Sequence, residues 1–340
     1  MFQVVIFTTA FLLCYFGVEW FRRWSLKKRI FDIPNERSSH NAPKPRGGGL
    51  VFVIVSLAGY AACTIFYQGN FEPGYLTAAI LISTVSWLDD LYSIRSVWRF
   101  VVHAVSALLV IFSVGYIDQL YLPFFHQVEV GKIGILLTFG WIVWLTNAYN
   151  FMDGIDGIAG VQAVTAGFGW FLAGNILGFD GISIYGGILA VTCAGFLIHN
   201  WQPSKIFMGD VGSAFLGFTF AVMPLLTKEE SDVQTRILPL ISILLVWLFV
   251  FDSVYTFFRR LLKREKVWIA HRSHIYQKLV IKGYEHKNVA LLYAVLSLTL
   301  LISIMNWLTF GEAYMWIVFV LLGILSVGLL IFERSQPFTE

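Results

Sequence analysis

Charge is what this chain has least of. Only 13% of its 340 residues are Asp, Glu, Lys or Arg, against about 25% in a typical soluble protein. Hydrophobic residues make up 57% and the mean hydropathy is +0.72. A soluble or disordered chain is thereby excluded, and a polytopic membrane protein is expected. Cysteine is scarce too. Cys14, Cys63 and Cys193 lie inside apolar runs with no metal-type spacing and no disulfide framework, so they read as small packing residues. There is no low-complexity linker, no soluble domain and no convincing repeat, so residues 1–340 read as one integral membrane unit. No nucleic-acid partner is expected. The first apolar run lacks a basic n-region and an A-x-A site, and so reads as a retained helix rather than a signal peptide.

What is present in abundance is membrane-length apolar sequence. Eleven windows approach the roughly 20 residues a span needs: 2–21, 48–67, 74–88, 100–117, 132–151, 157–174, 182–199, 211–226, 236–257, 288–308 and 313–332. An all-α fold of about eleven transmembrane helices is expected. Lys and Arg orient it. Residues 22–46 hold eight, residues 259–287 hold nine, and with Arg95, Arg99, Lys205 and Arg334 the split between the two sides is 21 to 3. By the positive-inside rule the N-terminus faces out and the C-terminus faces the cytosol.

The polar stretches of distinctive composition all fall on that cytosolic side: "PNERSSHNAPKPRGGG", "WLDDLYSIRSVWR", "NAYNFMDGIDG", "NWQPSKIFMGDVGS" and "HRSHIYQK". Asp89 and Asp90 end an apolar run, where acids oppose the helix dipole. A carboxylate pair is also a Mg²⁺ or general-base device. Asn147, Asn150 and Asp153 share one face if their helix continues, and the glycines after them allow a close backbone approach. Asp210 reads either as the N-cap of the next helix or as part of a phosphate site at that helix start. His271, Arg272 and His274 suit a diphosphate, or a loop binding lipid headgroups. Lys44 and Arg46 fit a lipid-phosphate anchor and a plain inside charge equally well. His103, His199 and Asp252 lie close to helix ends and are left outside the site.

Acids for Mg²⁺ beside cations for phosphate point to phosphoryl chemistry. In these motifs, LDD, NxxNxxDGxDG, FMGDxGS and a His-rich loop, the chain resembles the polyprenyl-phosphate N-acetylhexosamine-1-phosphate transferases over about residues 34–280. That superfamily spans the lipid I translocase, the initiating enzymes of O-antigen, enterobacterial common antigen and teichoic acid, and the dolichyl-phosphate enzyme. The resemblance implies transfer of N-acetylhexosamine-1-phosphate from a UDP-sugar to undecaprenyl phosphate in the bacterial inner membrane, with release of UMP. It implies Mg²⁺, with Mn²⁺ as a substitute, on Asn150 and Asp210. It gives catalytic roles to Asp89, Asp90, Asp153, His271, Arg272 and His274, and substrate contacts to Lys44, Asn147, Asp156 and Phe207. An oligomer is compatible with it. The "HRSH" loop and Arg95 depart from the lipid I translocase and favour the O-antigen type.

Two rivals are weaker. A flippase or transporter places its charges near the midplane, and a CDP-alcohol phosphotransferase needs an Ala-Arg after its first Asp-Gly, which "DGIDGIAG" lacks. The 21 to 3 split makes a direct prediction. A reporter fused after Glu340 behaves as cytosolic, and fusions near Gly69, Phe125 or Glu229 behave as external. An external C-terminal signal overturns the orientation.

Overall fold

A computed structural model describes residues 2–34, 42–66, 72–122, 126–227, 233–266 and 271–335. The four fusion positions and residues 35–41 of the first polar loop lie outside these. In lipid no water is available to the backbone, so a spanning segment must close its own N–H and C=O groups, and a helix does this. The helices are α1 (Phe2–Lys28), α2 (Gly49–Phe66), α3 (Pro73–Tyr92), α4 (Ser96–Ser113), α5 (Ile133–Phe151), α6 (Ile158–Leu177) and α7 (Asp180–Asn200). They continue with α8 (Asp210–Val222), α9 (Leu238–Leu245), α10 (Trp247–Leu262), α11 (Ile275–Ile281), α12 (His286–Phe310) and α13 (Met315–Ser335).

Each apolar window coincides with a helix, and the ninth with the pair α9 and α10, which meet at a 67° bend. Among the described residues, by length and hydropathy alone, five helices, α1, α4, α7, α12 and α13, can each cross a bilayer, and the bent pair makes a sixth. The protein is therefore a multi-pass membrane protein. The helical fold has two small additions. β1 (Phe31–Asp32) pairs antiparallel with β2 (Lys44–Pro45), and β3 (Gln119–Leu122) with β4 (His126–Glu129).

Helices α6, α7 and α8 form the buried centre. α1, α4 and α13 are peripheral and leave Phe16, Trp20, Phe112, Ile324 and Ile331 exposed, as a surface bathed in acyl chains requires. Because lipid is as apolar as the helices, close van der Waals packing between small residues drives association. A Cβ on Gly186 would stand 2.8 Å from the Gly167 carbonyl oxygen and 2.7 Å from Cβ of Trp170. Gly186→Val therefore forces α6 and α7 apart. A loss of about 1–3 kcal/mol is expected, seen as a lowered melting temperature in detergent; an unchanged melt refutes this contact as a packing constraint.

Candidate active site

Sequence-distant polar stretches meet at one end of the bundle, where α3, α5, α7 and α10 finish and α2, α4, α6 and α8 begin. The centre is the start of α8. Gly209 turns the chain with φ 78°, a left-handed value that favours glycine, and a Cβ there would strike the Asp90 carboxylate. Asp90 accepts hydrogen bonds from the backbone N–H groups of Asp210 at 2.9 Å and Val211 at 3.2 Å. These are two of the orphan donors at a helix start. The capping carboxylate of α8 thus comes from α3, which corrects the reading of Asp210 as its own helix's N-cap.

Asp210 is consequently free to face elsewhere. Arg46 donates from Nε to Asp90 at 2.7 Å and from NH2 to Asp210 at 2.6 Å. Arg99 donates from NH1 to Asp89 at 2.6 Å and also to Asp210. Asn150 donates its Nδ2 to Asp210 at 3.2 Å, and its Oδ1 accepts from Ser213 at 2.8 Å. Burial opposes the charge of Arg46, but Asp90 and Asp210, then Asp32 and Asp89, outweigh it and hold the guanidinium protonated well above its ordinary range. Two guanidinium groups face three carboxylates here.

Asp153 stands beside this set. α5 stops at Phe151, so Asp153 is on a non-helical turn and does not continue the Asn147–Asn150 helix face as expected. Burial pushes its carboxyl well above the usual carboxylate range; Asp210 adds to the rise, Arg46 opposes it, and Asp90 and Asp156 add further. Asn147 donates to the Val143 carbonyl one turn back at 2.7 Å, inside its own helix.

A second cluster lies around Asp156. Its carboxylate accepts from the Ser204 hydroxyl at 2.8 Å and the Ser204 N–H at 3.1 Å, and Lys44 Nζ is 3.4 Å away. Its own N–H donates to His286 Nδ1 at 3.3 Å. Burial favours the neutral acid, but the contacts with His286, Ser204 and Lys44 overcome that and hold its pKa at about 2. Lys44 also donates to Ser204 at 2.8 Å and lies 5.1 Å from the Phe207 ring centroid, a cation–π distance. Backbone pairing aligns these loops: Phe207 N–H to Pro45 O at 2.8 Å, Gly48 N–H to Phe207 O at 2.9 Å and Gly49 N–H to Met208 O at 2.8 Å.

The third cluster is the loop before α11. His271 Nδ1 is bonded to the Ser273 hydroxyl at 2.9 Å. Burial lowers its pKa to about 4, reinforced by His274, Arg260 and Arg259. A pKa this low leaves the ring uncharged at neutral pH. His274 is buried and leans on Asp252, 3.0 Å from Nδ1. Asp252, set aside in the sequence, is therefore structurally joined to the loop. Arg272 lies half-buried beside them. Tyr276 links this loop to the acidic centre by donating to the Phe151 carbonyl at 2.8 Å.

Arg99, Ser204, Ser213, Tyr276 and His286 were not singled out by sequence reasoning, and Asp252 was weighed and left out. Arg99 had a signal: it sits in the first turn of α4, where a cation opposes the helix dipole and calls for a carboxylate partner. Asp252 had one too, as an acid inside an apolar helix. Ser204, Ser213 and Tyr276 carried none.

Does the set suit Mg²⁺? Among the described residues no three His, Cys, Asp or Glu side chains are gathered to enclose a cation. The donors are nonetheless carboxylates and an amide, and carboxylate outnumbers guanidinium. Mg²⁺ is commonly held by one or two carboxylates with substrate phosphates completing its shell. The residues fit such a shared site, provided Asn150 presents its oxygen. Turning the amide over exchanges the two atoms in place.

The model of glycosyl transferase family 4 matches residues 73–228. The chain is 29% identical to the probable undecaprenyl-phosphate N-acetylglucosaminyl 1-phosphate transferase of Bacillus subtilis (strain 168), over 99% of this chain and 95% of that protein. It is 29% identical to the decaprenyl-phosphate N-acetylglucosaminephosphotransferase of Mycolicibacterium smegmatis, over 84% and 77%. It is 26% identical to the undecaprenyl-phosphate alpha-N-acetylglucosaminyl 1-phosphate transferase of Escherichia coli (strain K12), over 89% and 81%.

The two adjacent acids are predicted to separate by experiment. Asp90→Ala strips two α8 N–H groups and Arg46 of their acceptor, so a loss of about 3–5 kcal/mol and a large fall in melting temperature are expected. Asp89→Ala, which removes no acceptor from the start of α8, should melt much closer to the wild type. Equal melts for the two variants refute the capping role.

Proposed function

We propose a reaction from one premise: the chain belongs to glycosyl transferase family 4, the polyprenyl-phosphate N-acetylhexosamine-1-phosphate transferases. The protein transfers N-acetylhexosamine-1-phosphate from a UDP-sugar to undecaprenyl phosphate. An oxygen of the lipid phosphate bonds to the β-phosphorus, the bond from that phosphorus to the bridging oxygen breaks, and UMP leaves with the electron pair. UDP-N-acetylglucosamine is the first donor to test, since the relatives are named for N-acetylglucosamine. The observation that carries the reading is the meeting of Arg46 and Arg99 with Asp89, Asp90 and Asp210 at one end of a membrane bundle, beside Lys44 and Phe207.

The residues divide the work by what they touch. Phe207 offers a ring for a base to stack on, with Lys44 and Asp156 as its polar edge. Arg46 and Arg99 are the cations nearest the reacting charge, and electrostatic stabilisation is the main contribution of a protein to phosphoryl transfer. Asp90 has both oxygens engaged and a side chain with 0% exposure. That makes it a support for the site rather than a base or nucleophile. Asp89, which caps no helix and is paired with Arg99, is the member that faces the reactants. A lipid phosphate is mostly ionised at neutral pH, with a second pKa near 6, so direct attack needs little help from a base. Asp210 and Asn150 would hold Mg²⁺ with the donor phosphates, and the ion would supply Lewis acidity and charge neutralisation there.

The finer readings rest on the sequence. Eleven crossings with the N-terminus out and the C-terminus in bring the site to the cytosolic face of a bacterial inner membrane. The "HRSH" loop and Arg95 support a role in starting O-antigen or a related envelope polysaccharide.

The test is UMP release by purified protein in detergent from UDP-N-acetylglucosamine and undecaprenyl phosphate. Release is expected to need the lipid, to stop with EDTA and to return with Mg²⁺ or Mn²⁺. Asp210→Asn should lose most turnover at saturating Mg²⁺. No release with any UDP-N-acetylamino sugar overturns the reading and favours a flippase. Exchange of labelled UMP into UDP-sugar without lipid overturns direct attack.

A further inference from the structure

Asp252 lies in the apolar helix α10 with its side chain wholly buried. Five groups donate to it. Oδ1 accepts from His274 Nδ1 at 3.0 Å, the Ile275 N–H at 3.0 Å and the Thr256 hydroxyl at 3.1 Å. Oδ2 accepts from the Tyr293 hydroxyl at 3.0 Å and the Tyr276 N–H at 3.3 Å. These donors come from the loop, α10, α11 and α12. A carboxylate this buried is stable only when so fully partnered, and in a membrane helix it is a functional candidate in its own right.

The carboxylate selects one arrangement of His274. Because Asp252 only accepts, Nδ1 carries the proton that bonds to it, and Nε2 is left as the second hydrogen-bonding atom of the ring. That Nε2 is buried and has no hydrogen-bond partner. Its ring lies 5.0 Å from that of His271, a group already held uncharged by burial. The two residues following His274 complete the link. The N–H groups of Ile275 and Tyr276 end on Asp252, and the Tyr276 hydroxyl ends on the Phe151 carbonyl. Phe151 opens the turn that carries Asp153. One carboxylate therefore ties the loop to the acidic centre.

We propose that Asp252 is a positioning residue for the reaction: it fixes the ring of His274 so that Nε2 meets the sugar–diphosphate donor, and through Tyr276 it holds the Asp153 turn in register with that ring. This rests on the transferase reading above. A carboxylate behind an imidazole fixes its tautomer and orientation, and loss of such a partner typically costs about 10–100-fold where the ring is a metal ligand. A similar loss is expected here, chiefly in kcat, because a misaimed ring still permits the donor to bind through Phe207 and Lys44.

The test is a double-mutant cycle on UMP release with Asp252→Asn, His274→Asn and the double variant, all compared at equal folded protein by thermal melt. Each single variant should lose about 10–100-fold in kcat with a donor KM within a few-fold of wild type, and the double variant should be no worse than His274→Asn. Asp252→Glu, which keeps the acceptor, should regain part of the loss. If Asp252→Asn does not accumulate, Tyr293→Phe, which removes one donor from the same carboxylate, takes its place in the cycle with a smaller loss. Losses that multiply in the double variant, or a rise in KM with kcat intact, overturn the positioning role alone. Wild-type protein that releases no UMP overturns the transferase reading and the inference with it.

Discussion

A carboxylate from one helix closing the start of another is the interaction on which the site depends. Asp90 sits at the C-terminal end of α3, where the helix dipole disfavours it, and accepts the first two N–H groups of α8. The arrangement needs a cation, and Arg46 supplies it. Arg46 in turn is within reach only because the loop before α2 runs alongside residues 207–208 and pairs with them. Three stretches of the chain, around Arg46, Asp90 and Asp210, are thus fixed together through one guanidinium. With Asp90 in the capping role, the Asp210 carboxylate meets Arg46, Arg99 and Asn150 instead.

The same device recurs at the other side of the site. Asp252 caps the start of α11 from α10, as Asp90 caps α8 from α3. In both cases a residue that reads in isolation as an awkward acid in an apolar helix satisfies backbone donors of a different element. In a membrane bundle this is economical: the alternative for those N–H groups is burial without a partner, which costs roughly 1–3 kcal/mol each. It also explains how a polar site can be rigid at the end of helices whose mutual packing is mostly glycine, alanine and lipid-like side chains.

Much of the fold was legible from composition and windowing. All eleven apolar stretches fall on helices, because in a chain this apolar the backbone has no other way to satisfy itself. The motifs gathered at one end for a related reason. Spans alternate in direction, so loops of one parity share a side, and the polar residues are found in those loops. Less legible was the detail of each motif. The i, i+3, i+6 spacing of Asn147, Asn150 and Asp153 presumes a helix that stops at Phe151, so Asn147 closes on its own helix while Asp153 lies on a turn. His271 looked cationic in a basic loop, but burial among Arg259, Arg260 and His274 holds it neutral.

By itself the sequence determined that the chain is helical, crosses the membrane more than once and carries a phosphoryl-transfer set of residues, because these follow from hydropathy, spacing and residue chemistry, which are local. Only the tertiary structure decided which charge meets which. Arg46 could as well have been a topology signal, Arg99 one more inside charge and Asp252 a stray acid near an interface. Their partners lie on other helices, and no local pattern encodes a contact across 44, 111 or 22 residues. Burial decided the rest, since the charge and tautomer of a histidine depend on the groups folded around it.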